Sequence, residues 1–157
     1  MQKVTEERIR KMLIAENRKA HFHYFIIDTY QAGIVLKGSE IKSVRAHKVS
    51  FNDAYVTIKK GEVLLKEMHI AEYKEANRFN HDEKRIRKLL LHKNEIAKLE
   101  SKIKLEGYTL IPLKLTIEHG LAKVTIALAK GKNMADKRQT SKQREMDRAA
   151  QAAMKRG

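Results

Sequence analysis

The sequence contains no cysteine and no tryptophan, a single proline and only seven glycines. Without thiols, disulfides and cysteine-ligated metal centres are excluded. No apolar run approaches the roughly twenty residues that a membrane helix needs, and no basic helix carries the bulky apolar face by which a protein lies on lipid. No apolar signal segment follows Met1, so the expectation is a cytoplasmic chain without a membrane partner. A glycine-rich phosphate loop is missing too, since Gly131 between two lysines is not one. Five tyrosines and four phenylalanines leave little surface for base stacking, which turns attention to charge.

Charge is what the chain has in excess. Thirty-four Lys and Arg face nineteen Asp and Glu, a net +15, more than solubility explains and of the sign that draws phosphate-rich partners. The 157 residues suffice for one domain with a real core. Its organisation turns on the stretch from Ala129 to Arg138. Before it, Val124, Ile126 and Leu128 alternate with Thr125, Ala127 and Ala129, the pattern of a strand with one buried face. Beyond Gly131 the only large apolar residues are Met134, Met146 and Met154, too scattered for a second core. The expected division is an N-terminal extension over 1–16, an RNA-binding β-barrel over 17–130 and a basic C-terminal tail over 131–157.

Taken in order, Val4, Ile9, Met12 and Leu13 fall near helical spacing and predict a short helix within Val4–Asn17. The run from His23 to Leu36 reads as a long strand, with Gly33 marking a bulge or bend. Ser39 is placed to cap a short helix from Glu40 to Arg45. Strands flanking Lys59-Lys60-Gly61-Glu62 predict a hairpin, Ala71–Asp82 an exposed loop, and Arg85–Leu91 a further strand. Ile96, Leu99 and Ile103 step by three and four in a helix that Gly107 stops. Thr109–Ile117, with Ile111, Leu113, Leu115 and Ile117 assigned to one face, turns at His119-Gly120 and pairs back through Leu121–Lys130. Pro112 requires a free edge or a bulge. The sum is a mainly β fold: an oligonucleotide-binding-like antiparallel barrel of about six strands with peripheral helices, with a split α+β sandwich as competitor.

Seven histidines raise an enzyme reading. His21 and His23, two apart on an extended strand, would face one side as a ligand pair, but no third ligand follows at a telling spacing and no H-E-x-x-H motif is present, so no metal is expected. Nothing selects an acid–base pair among His47, His69, His81, His92 and His119. Glu40, Asp28 and Asp53 read as a capping acid and two strand or turn acids. No catalytic residue, cofactor or small-molecule substrate is therefore expected. Lys42 and Arg45, three apart on one side of a helix, are candidate phosphate contacts. Leu89, Leu90 and Leu91 cannot all point inward from a strand, so one is available to a contact surface. The tail has helix-forming residues but no continuous apolar stripe. It is expected to be disordered alone and helical once a polyanion neutralises Lys137, Arg138, Lys142, Arg144 and Arg148.

Several separate stretches then converge. Asn17-Arg18-Lys19-Ala20, Tyr24-Phe25-Ile26, Ala32-Gly33-Ile34-Val35-Leu36, Gly38-Ser39-Glu40-Ile41-Lys42-Ser43-Val44-Arg45, Arg87-Lys88-Leu89-Leu90-Leu91-His92 and Ala127-Leu128-Ala129-Lys130-Gly131-Lys132 through Asp136-Lys137-Arg138 resemble, in order and spacing, the SmpB family, which binds transfer-messenger RNA. The resemblance implies an oligonucleotide-binding-type barrel, a bacterial cytoplasmic setting and an adaptor role in trans-translation, without catalysis. It implies an RNA-facing surface of Asn17, Arg18, Lys19, the Tyr30-Gln31-Ala32-Gly33 bend and the Leu90–His92 neighbourhood, with Tyr24, Lys42, Arg45, Lys88, Lys130 and Lys132 from the same motifs. Asp136, Lys137, Arg138 and the arm beyond, with Lys142, Arg144 and Arg148, would lie in the decoding centre and message channel of the ribosome, against ribosomal RNA. Two positions depart from the family pattern: Gln31 stands where Glu is common, and Ala135 where His often precedes Asp-Lys-Arg. Gln31 keeps a hydrogen bond without the charge, and Ala135 cannot stack on a base. The alternative is a generic basic RNA-binding module or ribosome-associated protein.

Overall fold

Stretches of period two and period 3.6 alternate along the chain, and the computed structural model, which describes residues 11–156, turns them into nine strands and four helices. β1 (Lys11–Glu16) leads through the one-turn helix α1 (Ala20–His23) into the long β2 (Tyr24–Ile34). Next come α2 (Gly38–Arg45), β3 (Val49–Ser50), β4 (Tyr55–Lys59), β5 (Glu62–Lys66) and β6 (His69–Ile70). A short 3-10 segment (Lys74–Phe79) precedes β7 (Arg87–Leu90), α3 (Lys93–Glu106), β8 (Thr109–Glu118), β9 (Leu121–Gly131) and α4 (Met134–Arg156).

The main sheet runs β1-β8-β4-β5-β7-β2-β9, and β9 pairs back onto β8. Six strands thereby close a ring, as expected from the sequence, while β1 lies on the edge of β8 that β4 leaves uncovered: β4 meets β8 at Leu110, and β1 runs beside Lys114–Glu118. β3 and β6 form a separate two-stranded ribbon. Both predicted hairpins have two-residue loops, Lys60-Gly61 and His119-Gly120, with positive φ at both positions. That is the turn geometry whose twist matches paired strands.

The ring encloses Val56, Val63, Leu65, Leu89, Leu110, Leu115, Val124, Ile126 and Leu128. α3 adds Leu99, fully buried, flanked by Ile96 and Ile103, and Gly107 follows its end. Fully burying one such leucine contributes about 1.5–3 kcal/mol. One charged pair is buried in this fold as well. Glu40 and Arg87 are both wholly buried, with Arg87 Nε 2.6 Å from Glu40 Oε2 and Arg85 Nε 3.2 Å from Glu40 Oε1. Arg87 also donates to the carbonyls of Met68 and Glu83. Burial pulls the Arg87 guanidinium below its ordinary pKa, opposed by Glu40.

Five expectations need correction. Lys11–Glu16 is a strand, not the end of a helix; the rest of that predicted helix, up to residue 10, lies outside the described residues. A register shift between Leu13 and Ala15 breaks the alternation that would have revealed the strand, and its pairing with β8 joins 11–16 to the body. Lys37, rather than Ser39, sits at the start of α2, where its N–H donates to Glu40 Oε1 at 2.9 Å. His21 and His23 belong to the helical turn α1, so the strand argument for a ligand pair lapses. Ile111, Leu113, Leu115 and Ile117 do not share a face. A bulge between Pro112 and Lys114 sends Ile111 and Leu113 to a small outer cluster with Ala20, Ala127 and Ala129, while Leu115 and Ile117 stay with the barrel core. β9 is consequently buried on both sides over Val124–Ala129, where one buried face was expected.

Candidate nucleic-acid interface

The residues singled out in the sequence fall into three groups and one outlier. The first group lies where β1 turns into α1. Asn17 fastens the turn to the β8 bulge, its N–H donating to the Leu113 carbonyl at 2.7 Å and its Nδ2 to that of Pro112 at 2.9 Å. Buried Ala20 follows, which leaves Arg18 and Lys19 exposed between two anchored points. They border an open cavity of about 1080 Å³ that Tyr24 and His23 also line. Its opposite wall, Ser50, Asn52, Asp53 and Tyr55, comes from the β3–β4 connection. No local pattern announces that wall, because the segment that forms it lies about thirty residues further along the chain than Arg18 and Lys19.

The second group spans β2 and β7. Gly33 stands opposite both Leu90 on β7 and Lys123 on β9. A Cβ at Gly33 would meet that of Leu90 at 3.4 Å, so the glycine lets the leucine lie flat while remaining 53% exposed. Leu90 is thus the outward member of the three-leucine run, with Leu89 in the core. Gln31 is exposed opposite Thr125. Tyr30 is half-buried, and its hydroxyl donates to Asp28 Oδ2 at 3.2 Å. Burial, and then the Asp28 charge, push the phenol pKa up, so it stays a neutral donor. Exposed Lys88 sits 3.6 Å from Glu62 in a solvated pair, worth at most about 1 kcal/mol and readily exchanged for a phosphate. His92 begins α3, its N–H donating to Glu95 Oε1 at 3.3 Å, and its ring is exposed.

The third group joins the body to the arm. Lys130 is exposed opposite Phe25. The Lys132 ammonium donates to the His21 carbonyl and to Thr140 Oγ1, each at 2.7 Å, and lies 4.8 Å from the centroid of the Phe25 ring. It therefore touches α1, β2 and α4 together. Asn133 and Asp136 form a reciprocal cap on α4: the Asp136 N–H donates to Asn133 Oδ1 at 2.8 Å and the Asn133 N–H to Asp136 Oδ2 at 3.3 Å. The Asp of the Asp-Lys-Arg triplet is thereby engaged in starting the helix. The tail, expected as disordered alone and helical when bound, is a 23-residue helix here. Arg138, Lys142, Arg144 and Arg148 are exposed along it, and Lys137 half-buried.

Lys42 and Arg45 are the outlier. Both are exposed on α2, and neither forms an ion pair among the described residues. Among the described residues no three His, Asp or Glu side chains are grouped to hold a metal ion. Asp28, Glu40 and Asp53 stand apart: Asp28 is held by Tyr30 and the Thr29 N–H, Glu40 is buried with its arginines, and Asp53 lines the cavity. No described helix is long and apolar enough to cross a membrane.

The model of a family described as SmpB protein matches residues 14–156. A protein of Geobacillus sp. (strain WCH70), described as an SsrA-binding protein, is 54% identical over 143 residues, 91% of this chain and 92% of its own length. One from Wolbachia pipientis subsp. Culex pipiens (strain wPip), with the same description, is 57% identical over 137 residues, covering 87% of this chain and 92% of that one. A solved chain, from "tmRNA-SmpB: a journey to the center of the bacterial ribosome", superposes with a TM-score of 0.64 at 46% identity, over 76% of this chain and 85% of the other.

Proposed function

Because the chain belongs to the SmpB family, we propose that it is an RNA-binding adaptor of trans-translation. It binds the transfer-RNA-like part of transfer-messenger RNA and delivers it to the A site of a stalled ribosome, for rescue and tagging of the unfinished chain. The observation that carries this reading is that the family match runs unbroken from residue 14 to residue 156, through barrel and basic helix alike. Resident cytoplasmic location and the lack of any catalytic step of its own are part of the same reading.

The division of labour follows the charge. The barrel offers transfer-messenger RNA the Asn17-Arg18-Lys19 shoulder with Tyr24, the Tyr30-Gln31-Gly33 and Lys88-Leu90-His92 patch, and Lys130; cationic groups contact phosphate, and exposed Leu90 lies against sugar or base. Lys42 and Arg45 add phosphate contacts from α2. The arm addresses the ribosome. A 23-residue helix is about 35 Å long at 1.5 Å per residue, a reach suited to the message channel, with Lys137, Arg138, Lys142, Arg144 and Arg148 against ribosomal RNA. The helix start set by Asn133 and Asp136 places these side chains relative to the barrel.

The test compares the full chain with one ending at Gly131. The shortened chain is expected to keep tight binding to transfer-messenger RNA, in salt-titrated competition with an ordinary transfer RNA, while tagging of stalled chains is lost. Equal affinity for both RNAs at matched salt would instead favour a generic RNA-binding module. Tagging by the shortened chain would remove the arm's assigned role.

A further inference from the structure

We propose that Phe79, with Arg78 stacked on one side of its ring, is a seat for an unpaired RNA base, a contact separate from the three groups above; it rests on the RNA-binding reading. Phe79 is 74% exposed, more than any other aromatic side chain among the described residues. The Arg78 guanidinium lies 5.0 Å from the ring centroid. An aromatic plane with a planar cation beside it is the arrangement on which unstacked bases are held, the ring taking the base and the guanidinium the neighbouring phosphate.

The connection that carries the ring is fastened from below. Asn80 bridges the ends of the turn: its Oδ1 accepts the Tyr73 N–H at 2.8 Å, and its Nδ2 donates to the Tyr73 carbonyl at 2.7 Å and that of Asn77 at 3.3 Å. The next residue, His81, is buried, with Nδ1 2.9 Å from Ser39 Oγ and Nε2 2.9 Å from the Ile70 carbonyl. Asn77 holds a φ of 50°, on the side of the map that costs a side-chain-bearing residue. A loop held this firmly has no need to leave its phenylalanine in water, yet the ring is turned outward. Its chain neighbours Lys74, Glu75, Asn77, Arg78 and Asn80 are polar, a setting unlike the contiguous apolar surface of a protein-docking site. A single open ring face beside a cation suits a base.

The experiment uses the full chain with Phe79→Ala, Phe79→Leu and Phe79→Trp, measuring affinity at fixed salt for transfer-messenger RNA and, separately, for stalled ribosomes loaded with it. Alanine and leucine are expected to weaken one of these by about 5- to 150-fold, the worth of one stacked base, while tryptophan retains it; the affected arm identifies which RNA supplies the base. Melting temperatures should match the parent because the ring is exposed. Parent-like affinity of Phe79→Ala in both arms overturns the proposal, as does leucine binding like the parent, which would mean a greasy contact rather than a stack. A clear fall in the melting temperature of Phe79→Ala, showing the ring to be packed, also overturns it. If the parent chain binds neither RNA, the adaptor reading fails first; if it binds and Phe79→Ala binds equally, only this seat fails.

Discussion

Glu40 and Arg87, forty-seven positions apart, meet at 2.6 Å with both side chains wholly enclosed. The carboxylate is shared three ways, with Arg87, Arg85 and the N–H that begins α2, so it ties that helix to β7 through the barrel wall. Glu40→Gln leaves the guanidinium buried without a counter-charge, and the expected loss is about 3–5 kcal/mol, read by urea unfolding at neutral pH.

The same carboxylate gives a pH dependence. Burial alone would raise its pKa, but the Arg85 hydrogen bond, the Lys37 N–H and the Arg87 charge hold it below the ordinary value. A group depressed in the folded state stabilises the fold above its unfolded pKa, about 4.3 for Glu, and that contribution drains away as pH falls through the folded value. Unfolding free energy measured from pH 7 down to pH 3 should therefore decline more steeply in the parent than in Glu40→Gln. Parallel acid limbs would contradict this.

Lys132→Met removes the ammonium that joins His21, Thr140 and the Phe25 ring. Hydrogen exchange of amides 137–144 should speed up several-fold as α4 loosens, while those of β8 and β9 keep their protection.

Asn133→Ala deletes the cap at the start of α4, a loss of about 1 kcal/mol. Far-UV circular dichroism should show reduced helix content, with the barrel's melting temperature unchanged.

Gly33→Ala just fits, its new methyl in van der Waals contact with Leu90, and stability should change by less than about 1 kcal/mol. Gly33→Val must push Leu90 aside and should cost about 1–3 kcal/mol. Thermal melts of the two variants test this ordering.

What could be read from the sequence was whatever local pattern decides. The two-residue turns, the Ile96–Leu99–Ile103 helix with its stop at Gly107 and the mainly β content were legible, because period and turn chemistry are properties of neighbouring residues; that one of Leu89, Leu90 and Leu91 faces outward was legible too, though not which one. Bulges hid the rest. Pro112 announced an irregularity in β8, but not that Ile111 and Leu113 would change faces. The shift near Ile14 disguised β1 as a helical spacing. Ala127 and Ala129 looked like the outer side of a strand because alanine is small; α1 covers them. Arg87 left one signal that was overlooked: it lies in phase with Leu89, on the inward side of β7, so a buried charge was demanding a partner. Of the candidate interface, the basic residues and their motifs were visible, whereas the second wall of the cavity and the exposed ring of Phe79 arise from long-range assembly.

The double pairing of β9 has a bearing on biogenesis. Since this strand holds β2 on one side and β8 on the other, the wall has no seal until the message has been read as far as Gly131. Copies aborted before that codon would present two bare β-margins, the kind of surface that recruits other chains. The cationic helix comes after β9, behind a vessel that can close only as the helix appears.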